Sequence, residues 1–209
     1  MADPYRIVVL ASGSGSNLQS LIDTVHAPGG TEIVLVVGSR DGIVALDRAT
    51  AAGIPVAVVT LSGRDRQERD VELAHVVAEA RPDLVVLAGW MSILTGAFLD
   101  RFPDRVVNLH PSLLPSFPGL HAIRQALDWG VRWTGVTVHY AEEVVDGGPA
   151  ILQEPVPVLY GDDEEALTAR IREVEHRLVP ETVRLFAAGR VHRDPTDRRK
   201  VLISPVEVE

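Results

Sequence analysis

Arg6-Ile7-Val8-Val9-Leu10-Ala11-Ser12-Gly13-Ser14-Gly15-Ser16-Asn17 reads as a strand running into a glycine-rich loop. After its first residue the run to Ala11 is apolar throughout, the pattern of a strand buried on both faces in a parallel sheet. Beyond the loop, Leu18, Leu21, Ile22 and Val25 recur at helical spacing, so a helix follows. Strand, loop and helix together open a βαβ unit. Glycine lets such a loop turn tightly, and the helix N-terminus offers N–H groups and a partial positive charge to a phosphate. Neither common nucleotide signature is complete. A dinucleotide loop needs a glycine where Leu18 stands, and a Walker loop needs Gly-Lys-Ser/Thr. A single phosphate is the better match for Gly15, Ser16 and Asn17; the alternative is a glycine turn with Ser16 or Asn17 capping the helix.

The alternation continues along the chain. Residues 32–37 read as a second strand, 43–52 as a helix stopped by Gly53, and 56–60 as a third strand after Pro55. Residues 62–81 form a charged approach to a helix carrying Val71, Ala74, Val77 and Ala78, and 84–88 form a fourth strand. Such alternation implies right-handed crossovers and a Rossmann-like α/β fold, with a mostly parallel sheet flanked by helices. Gly89-Trp90-Met91-Ser92-Ile93-Leu94 follows the fourth strand at its carboxyl end, where open α/β sheets bind ligands. Its apolar residues could wall a flat ring or belong to the core.

A short β-branched run, Arg105-Val106-Val107, then leads into Asn108-Leu109-His110-Pro111-Ser112-Leu113-Leu114-Pro115-Ser116-Phe117-Pro118-Gly119. Two residues apart on a strand, Asn108 and His110 project to the same side. Three prolines stiffen the loop behind them. A stiff loop holding an amide beside a titratable ring suits chemistry on a carbonyl; the alternative is a proline-rich loop with a surface Asn and a satisfied His. Further on, 121–129 reads as a helix, 133–140 as a partly exposed strand, and 142–149 as an acidic, glycine-rich turn. Pro155 and Pro157 mark 151–158 as an edge or irregular strand. Asp162 or Asp163 caps a long helix with Leu167, Ile171, Val174, Leu178, Val183 and Phe186 on one face. From 106 to 158 the pattern departs from βαβ repetition, so the sheet is expected to become mixed toward the C-terminal half.

Composition narrows the function classes. The chain has 209 residues, 46% hydrophobic and 23% charged, without cysteine, which excludes disulfides and thiolate chemistry. A formal net charge of −9 argues against a nucleic-acid partner. The N-terminal residues lack a basic-then-apolar leader and no long apolar run occurs, so a cytoplasmic protein with no membrane association is expected. The seven histidines show no compact metal-ligand spacing, and no metal is expected. Oligomeric state is not written in the sequence; a homodimer is one option left open.

Several runs together resemble the phosphoribosylglycinamide formyltransferases, small folate-dependent enzymes of purine biosynthesis and one-carbon metabolism. They are Ser-Gly-x-Gly-Ser-Asn after the first strand, Leu-Ala-Gly-Trp-Met at 87–91, Asn-Leu-His-Pro-Ser-Leu-Leu-Pro, Pro-Gly-Leu-His, Thr-Val-His at 137–139 and Asp-Gly-Gly-Pro at 146–149. The resemblance covers about residues 5–190 and implies one formyltransferase domain over 1–209, with a peripheral tail from about 194. It implies transfer of the formyl group of 10-formyltetrahydrofolate, a cosubstrate, to the amine of phosphoribosylglycinamide. Asn108, His110 and Asp146 are then catalytic. Gly15, Ser16 and Asn17 hold the phosphate, and Glu175 holds the amine. The folate is bound by Arg66, Met91, Ser92, Ile93, Leu94, Asn108, Glu142, Glu143, Val144, Val145 and Asp146. Arg64 competes with Arg66, Ser92 stands where many relatives carry Arg, and Thr137 is a candidate to hold a relay water. Rival readings are another folate-dependent formyltransferase or a formyltetrahydrofolate hydrolase, whose members normally add a second domain, and a non-catalytic nucleotide-binding module.

Overall fold

In the order β3-β2-β1-β4-β5-β6-β7, seven strands form one sheet, mostly parallel and mixed toward the C-terminal half. A computed structural model describes residues 3–27, 30–60 and 63–205. The chain divides into two compact units, Met1–Asn108 with Ala141–Glu143, and Leu109–Tyr140 with Val144–Glu209.

The first unit carries the parallel part. β1 (Tyr5–Ala11) runs parallel to β2 (Thr31–Gly38) and to β4 (Leu84–Leu87). β2 pairs with β3 (Val56–Val58), and β4 pairs with β5 (Val106–His110). Between them come α1 (Ser16–Thr24), α2 (Val44–Ala51), α3 (Arg66–Glu79) and the one-turn α4 (Gly96–Leu99). Val8, Leu10, Val37, Val85 and Leu87 form one buried cluster with Leu73, Ala74 and Val77 of α3 and with Phe98 and Phe102. Ile7 and Val9 alternate to the opposite face and are buried as well. Burial on both faces is why these strands read as unbroken apolar runs.

Boundaries moved by a residue or two, for local reasons. β3 stops at Val58 rather than residue 60. α3 begins at Arg66 because the Asp65 side chain accepts from Gln67 N (2.8 Å) and Glu68 N (3.0 Å), ending the charged approach with a cap. Ser62, where that approach was expected to begin, lies outside the described residues.

The second unit carries the end of β5, α5 (Ala122–Trp129), β6 (Trp133–Tyr140), β7 (Ala150–Pro157), α6 (Glu164–Ala187) and the hairpin of β8 (Val191–Arg193) with β9 (Val201–Ile203). β7 is the edge strand, antiparallel to β6, as its prolines required. Asp163, not Asp162, caps α6 by accepting from Ala166 N at 2.8 Å; Asp162 instead pairs with Arg170 at 2.8 Å. The expectation for residues 133–140 needs correction. Every residue of β6 after Trp133 is buried, and Thr137 and His139 hydrogen-bond inside the unit rather than facing water. Residues from 194 onward include β9, and Arg193 stacks its guanidinium 4.4 Å from the centre of the Tyr140 ring. Residues 206–209 of that segment lie outside the described residues.

Gly135 lets the proline loop lie against β6. A Cβ at this position would stand 2.4 Å from the Glu154 carbonyl oxygen and 2.5 Å from Leu113 Cδ2. Gly135→Ala is therefore expected to lower unfolding free energy by about 1–3 kcal/mol, read as a drop in the urea midpoint. An unchanged midpoint would contradict this packing.

Candidate active site

The second unit gathers polar groups around one carboxylate. Asp146 Oδ2 lies 3.2 Å from His110 Nδ1 and accepts from Gly119 N at 2.7 Å, while Oδ1 lies 3.6 Å from His139 Nε2. The three side chains are 6%, 7% and 2% exposed for His110, Asp146 and His139. On the far side of each ring stands a carbonyl: Phe117 O at 2.8 Å from His110 Nε2, and Tyr140 O at 2.8 Å from His139 Nδ1. Each imidazole thus lies between a carboxylate oxygen and a carbonyl oxygen. Burial works to raise the Asp146 carboxyl pKa. The His139 hydrogen bond, the Gly119 N–H and the charges of His110 and His139 outweigh it and hold the group below the ordinary aspartate range.

The backbone is bent to make this arrangement. Asp146 and Phe117 both adopt left-handed φ, 51° and 54°, as does His121 at 61°, which heads α5. Asp tolerates that region; a bulky Phe rarely does, and such strain collects at functional sites. Thr137 of β6 holds the loop between them. Its hydroxyl donates to Ser112 O (2.7 Å) and accepts from Leu114 N (3.1 Å) and from Gln153 Nε2 (2.9 Å). One donor and two lone pairs are all a hydroxyl has, so Thr137 is a brace for the proline loop and has nothing left for a relay water.

The first unit supplies the other candidates. Gly15 heads α1 with φ 69° and provides no side-chain cap, so neither Ser16 nor Asn17 plays the capping part the sequence left open. The first-turn N–H groups of a helix lack intrahelical acceptors, which suits Ser16 and Asn17 to an anion. A Cβ on Gly15 would stand 2.7 Å from Ala45 Cα, so only glycine brings the loop this close to α2. Arg48 donates to Ser14 O at 2.9 Å, and Met91 N donates to Ser12 Oγ at 3.0 Å, tying the loop to the segment after β4. Asn108 ends the first unit, two residues before His110 within β5.

Among the folate candidates, Met91 and Ile93 are exposed, Leu94 is buried, and Arg66 is exposed in the first turn of α3. Arg64 pairs with Glu72. Ser92 Oγ is taken by Arg69 Nη1 at 2.9 Å. Glu142 is exposed, and Glu143 accepts from Gly96 N at 2.7 Å. Val144 and Val145 are exposed on the turn that Gly147 N closes onto Val144 O at 3.0 Å. Glu175 is half-buried on α6.

Reading the residues alone missed His139 and the pair Arg69–Asp70. His139 was visible only as part of Thr-Val-His, with no role attached. Asp70 carried a signal, since it stands at helical spacing from Leu73, Ala74 and Val77 on the buried face of α3. Among the described residues no group of three or more His, Asp or Glu side chains is arranged to hold a metal ion.

Comparisons with known proteins agree with one another. The formyl transferase family model matches residues 5–183. The phosphoribosylglycinamide formyltransferase of Escherichia coli is 45% identical over 189 residues, 89% of this chain and 89% of that protein. The trifunctional purine biosynthetic protein adenosine-3 of Drosophila pseudoobscura is 47% identical over 194 residues, 90% of this chain; the chain spans only 14% of that protein's length. The crystal structure of glycinamide ribonucleotide transformylase 1 from Symbiobacterium toebii matches with a TM-score of 0.91 at 43% identity, covering 97% of this chain and 95% of that one.

Asp146 yields a pH prediction. Its native pKa is lowered, so the unfolded chain takes up the proton first as pH falls. The stabilisation is complete above the unfolded value, about 3.9, and is lost as pH falls through the lower native one. Asp146→Asn is expected to be about 1–3 kcal/mol less stable than wild type at pH 7, with the gap closing toward pH 3 in urea titrations. A gap independent of pH would contradict the assigned charge interactions.

Proposed function

The chain belongs to the formyl transferase family, whose model covers residues 5–183 of its 209, and on that premise we propose that it moves a formyl group from 10-formyltetrahydrofolate to the amine of phosphoribosylglycinamide. The reaction serves purine synthesis. The observation that carries this reading is the His110 ring held between the Asp146 carboxylate and the Phe117 carbonyl, at 3.2 and 2.8 Å.

In the proposed sequence the substrate amine attacks the formyl carbon, a new C–N bond forms, and the carbonyl oxygen becomes an oxyanion. Donors must meet that oxygen. The Asn108 amide is one and His110 Nε2–H is the other, giving up a neutral carbonyl acceptor for a charged one, which makes the stronger hydrogen bond. Asp146, on the opposite nitrogen, orients the ring and balances its charge; through a water it relays the ammonium proton to N10 of the folate as the bond from the formyl carbon to N10 breaks. His139 and Gly119 hold the carboxylate in position for this. Gly15, Ser16 and Asn17 receive the phosphate through backbone N–H groups, and Glu175 receives the amine. Met91, Ser92, Ile93, Leu94, Glu142, Glu143, Val144 and Val145 line the folate site, with Arg66 available to its anionic tail. The substrates are small molecules, and no step in this scheme calls on a metal.

The test is His110→Ala, assayed by the absorbance change on deformylation of the folate. Turnover at saturating substrates is expected to fall about 10²-fold to 10³-fold, the scale of losing an oxyanion donor. Near-normal turnover would end the assignment. Running wild type with phosphoribosylglycinamide, methionyl-tRNA or water as acceptor separates the proposed reaction from its rivals, and activity is expected with the first alone.

A further inference from the structure

In the first unit the segment from Met91 to Thr95 is held by groups to which the formyl-transfer scheme gives no part. Arg69 and Asp70, neighbours on α3, are 4% and 0% exposed. Arg69 Nε donates to Asp70 Oδ1 at 2.9 Å, Nη1 to Ser92 Oγ at 2.9 Å and Nη2 to Ile93 O at 3.2 Å. The other Asp70 oxygen accepts from Thr95 N at 2.7 Å. At the near end, Ser12 Oγ takes Met91 N at 3.0 Å. Four points along five residues are therefore fixed, and three of the four come from one buried ion pair.

A buried pair of this kind adds little stability over an apolar pair of the same volume. What a guanidinium supplies is direction, because its planar fork aims several N–H groups at once. Here four of its five N–H groups go to Asp70 or to the one short segment. That segment leaves β4 at its carboxyl end and exposes two large apolar side chains, Met91 at 69% and Ile93 at 42%. A rigid backbone presenting exposed apolar side chains is a wall for a flat ring, with backbone groups available to read the ring's edge. The Ser92 hydroxyl accepts from Arg69, which holds that side chain against α3 and keeps its O–H donor and its backbone groups available.

We infer that Arg69, braced by Asp70, is the positioning residue that sets the Ser92–Leu94 backbone for the bicyclic ring of the folate cosubstrate. The inference rests on the folate reading above and names the residue that makes that wall rigid. Arg69→Lys keeps the charge beside Asp70 but replaces the fork by a single ammonium, which cannot serve Ser92 and Ile93 together. The cosubstrate KM and the Kd for tetrahydrofolate, read by titration calorimetry, are expected to rise about tenfold, the scale of losing one charge-assisted hydrogen bond. The KM for phosphoribosylglycinamide and kcat should stay within about twofold, a split that a general loss of fold does not give. Ser92→Ala, which deletes one acceptor and leaves the ion pair, is expected to weaken tetrahydrofolate binding about threefold and decides the matter if Arg69→Lys does not fold. Wild-type tetrahydrofolate affinity in either folded variant would overturn the inference. A wild-type enzyme that binds tetrahydrofolate but transfers no formyl group, with weakened binding in Arg69→Lys, would overturn the reaction and uphold the positioning role. No binding of tetrahydrofolate by wild type would overturn both.

Discussion

A carboxylate removed from water must find donors, and in the second unit Asp146 dictates where they stand. Its two oxygens take the Gly119 N–H and face two imidazoles, so the end of β5, the loop after it and β6 are all bound to the place where this one side chain sits. Left-handed backbone at Asp146 and Phe117 is the local strain that this convergence imposes. Remove the carboxylate and two buried rings lose the acceptor that each of them faces. The cluster is thus cooperative: each member makes sense of its neighbour's burial.

Rigidity around the cluster comes from covalent stiffness and from a hydroxyl with no capacity to spare. Prolines at 111, 115 and 118 restrict φ through the loop, but they do not say where the loop goes. Thr137 does, by bonding Ser112 and Leu114 at once, and Gln153 from the edge strand β7 adds its amide to both Thr137 Oγ1 and Leu114 O. Gly135 allows Leu113 to press against the strand. A sheet and a loop locked this way restrict where a hydrogen-bonding ring can sit, which electrostatic catalysis requires of its donors.

Much of the fold was legible because its strands and helices obey simple periods. β1, β2 and β4 are apolar runs of parallel-sheet type, and α6 shows its buried face from Leu167 to Val183 despite the internal Pro180. β6 was misread for a physical reason. Thr and His alternate along it as they would on a wetted strand, and only tertiary partners, absent from a one-dimensional pattern, turn those polar groups inward. The same gap hid His139 and Arg69. A polar residue at a buried position looks like an exposed one until its acceptors are known, and beyond the adjacent Asp70 those of Arg69 lie 23 and 24 residues away in the chain. Ser16 and Asn17 show the converse: both are favourable caps by composition, yet the left-handed Gly15 takes the terminal position.

Net charge limits the kind of group with which this chain can hold an anion. At a formal −9 the molecule repels anions at long range, and a Debye length of about 8 Å at physiological ionic strength limits but does not reverse that repulsion. Affinity for a phosphate or a carboxylate has to be short-ranged. Helix N–H groups behind Gly15 meet that condition, since they add no net charge and act only at contact. A buried Arg69 neutralised by Asp70 likewise exerts little field outside, and the pair fixes the backbone from Ser92 to Thr95. A surface arginine in place of Ser92 would attract an anion directly and would be screened by salt. A buried one shapes the wall instead, and its effect should not depend on ionic strength.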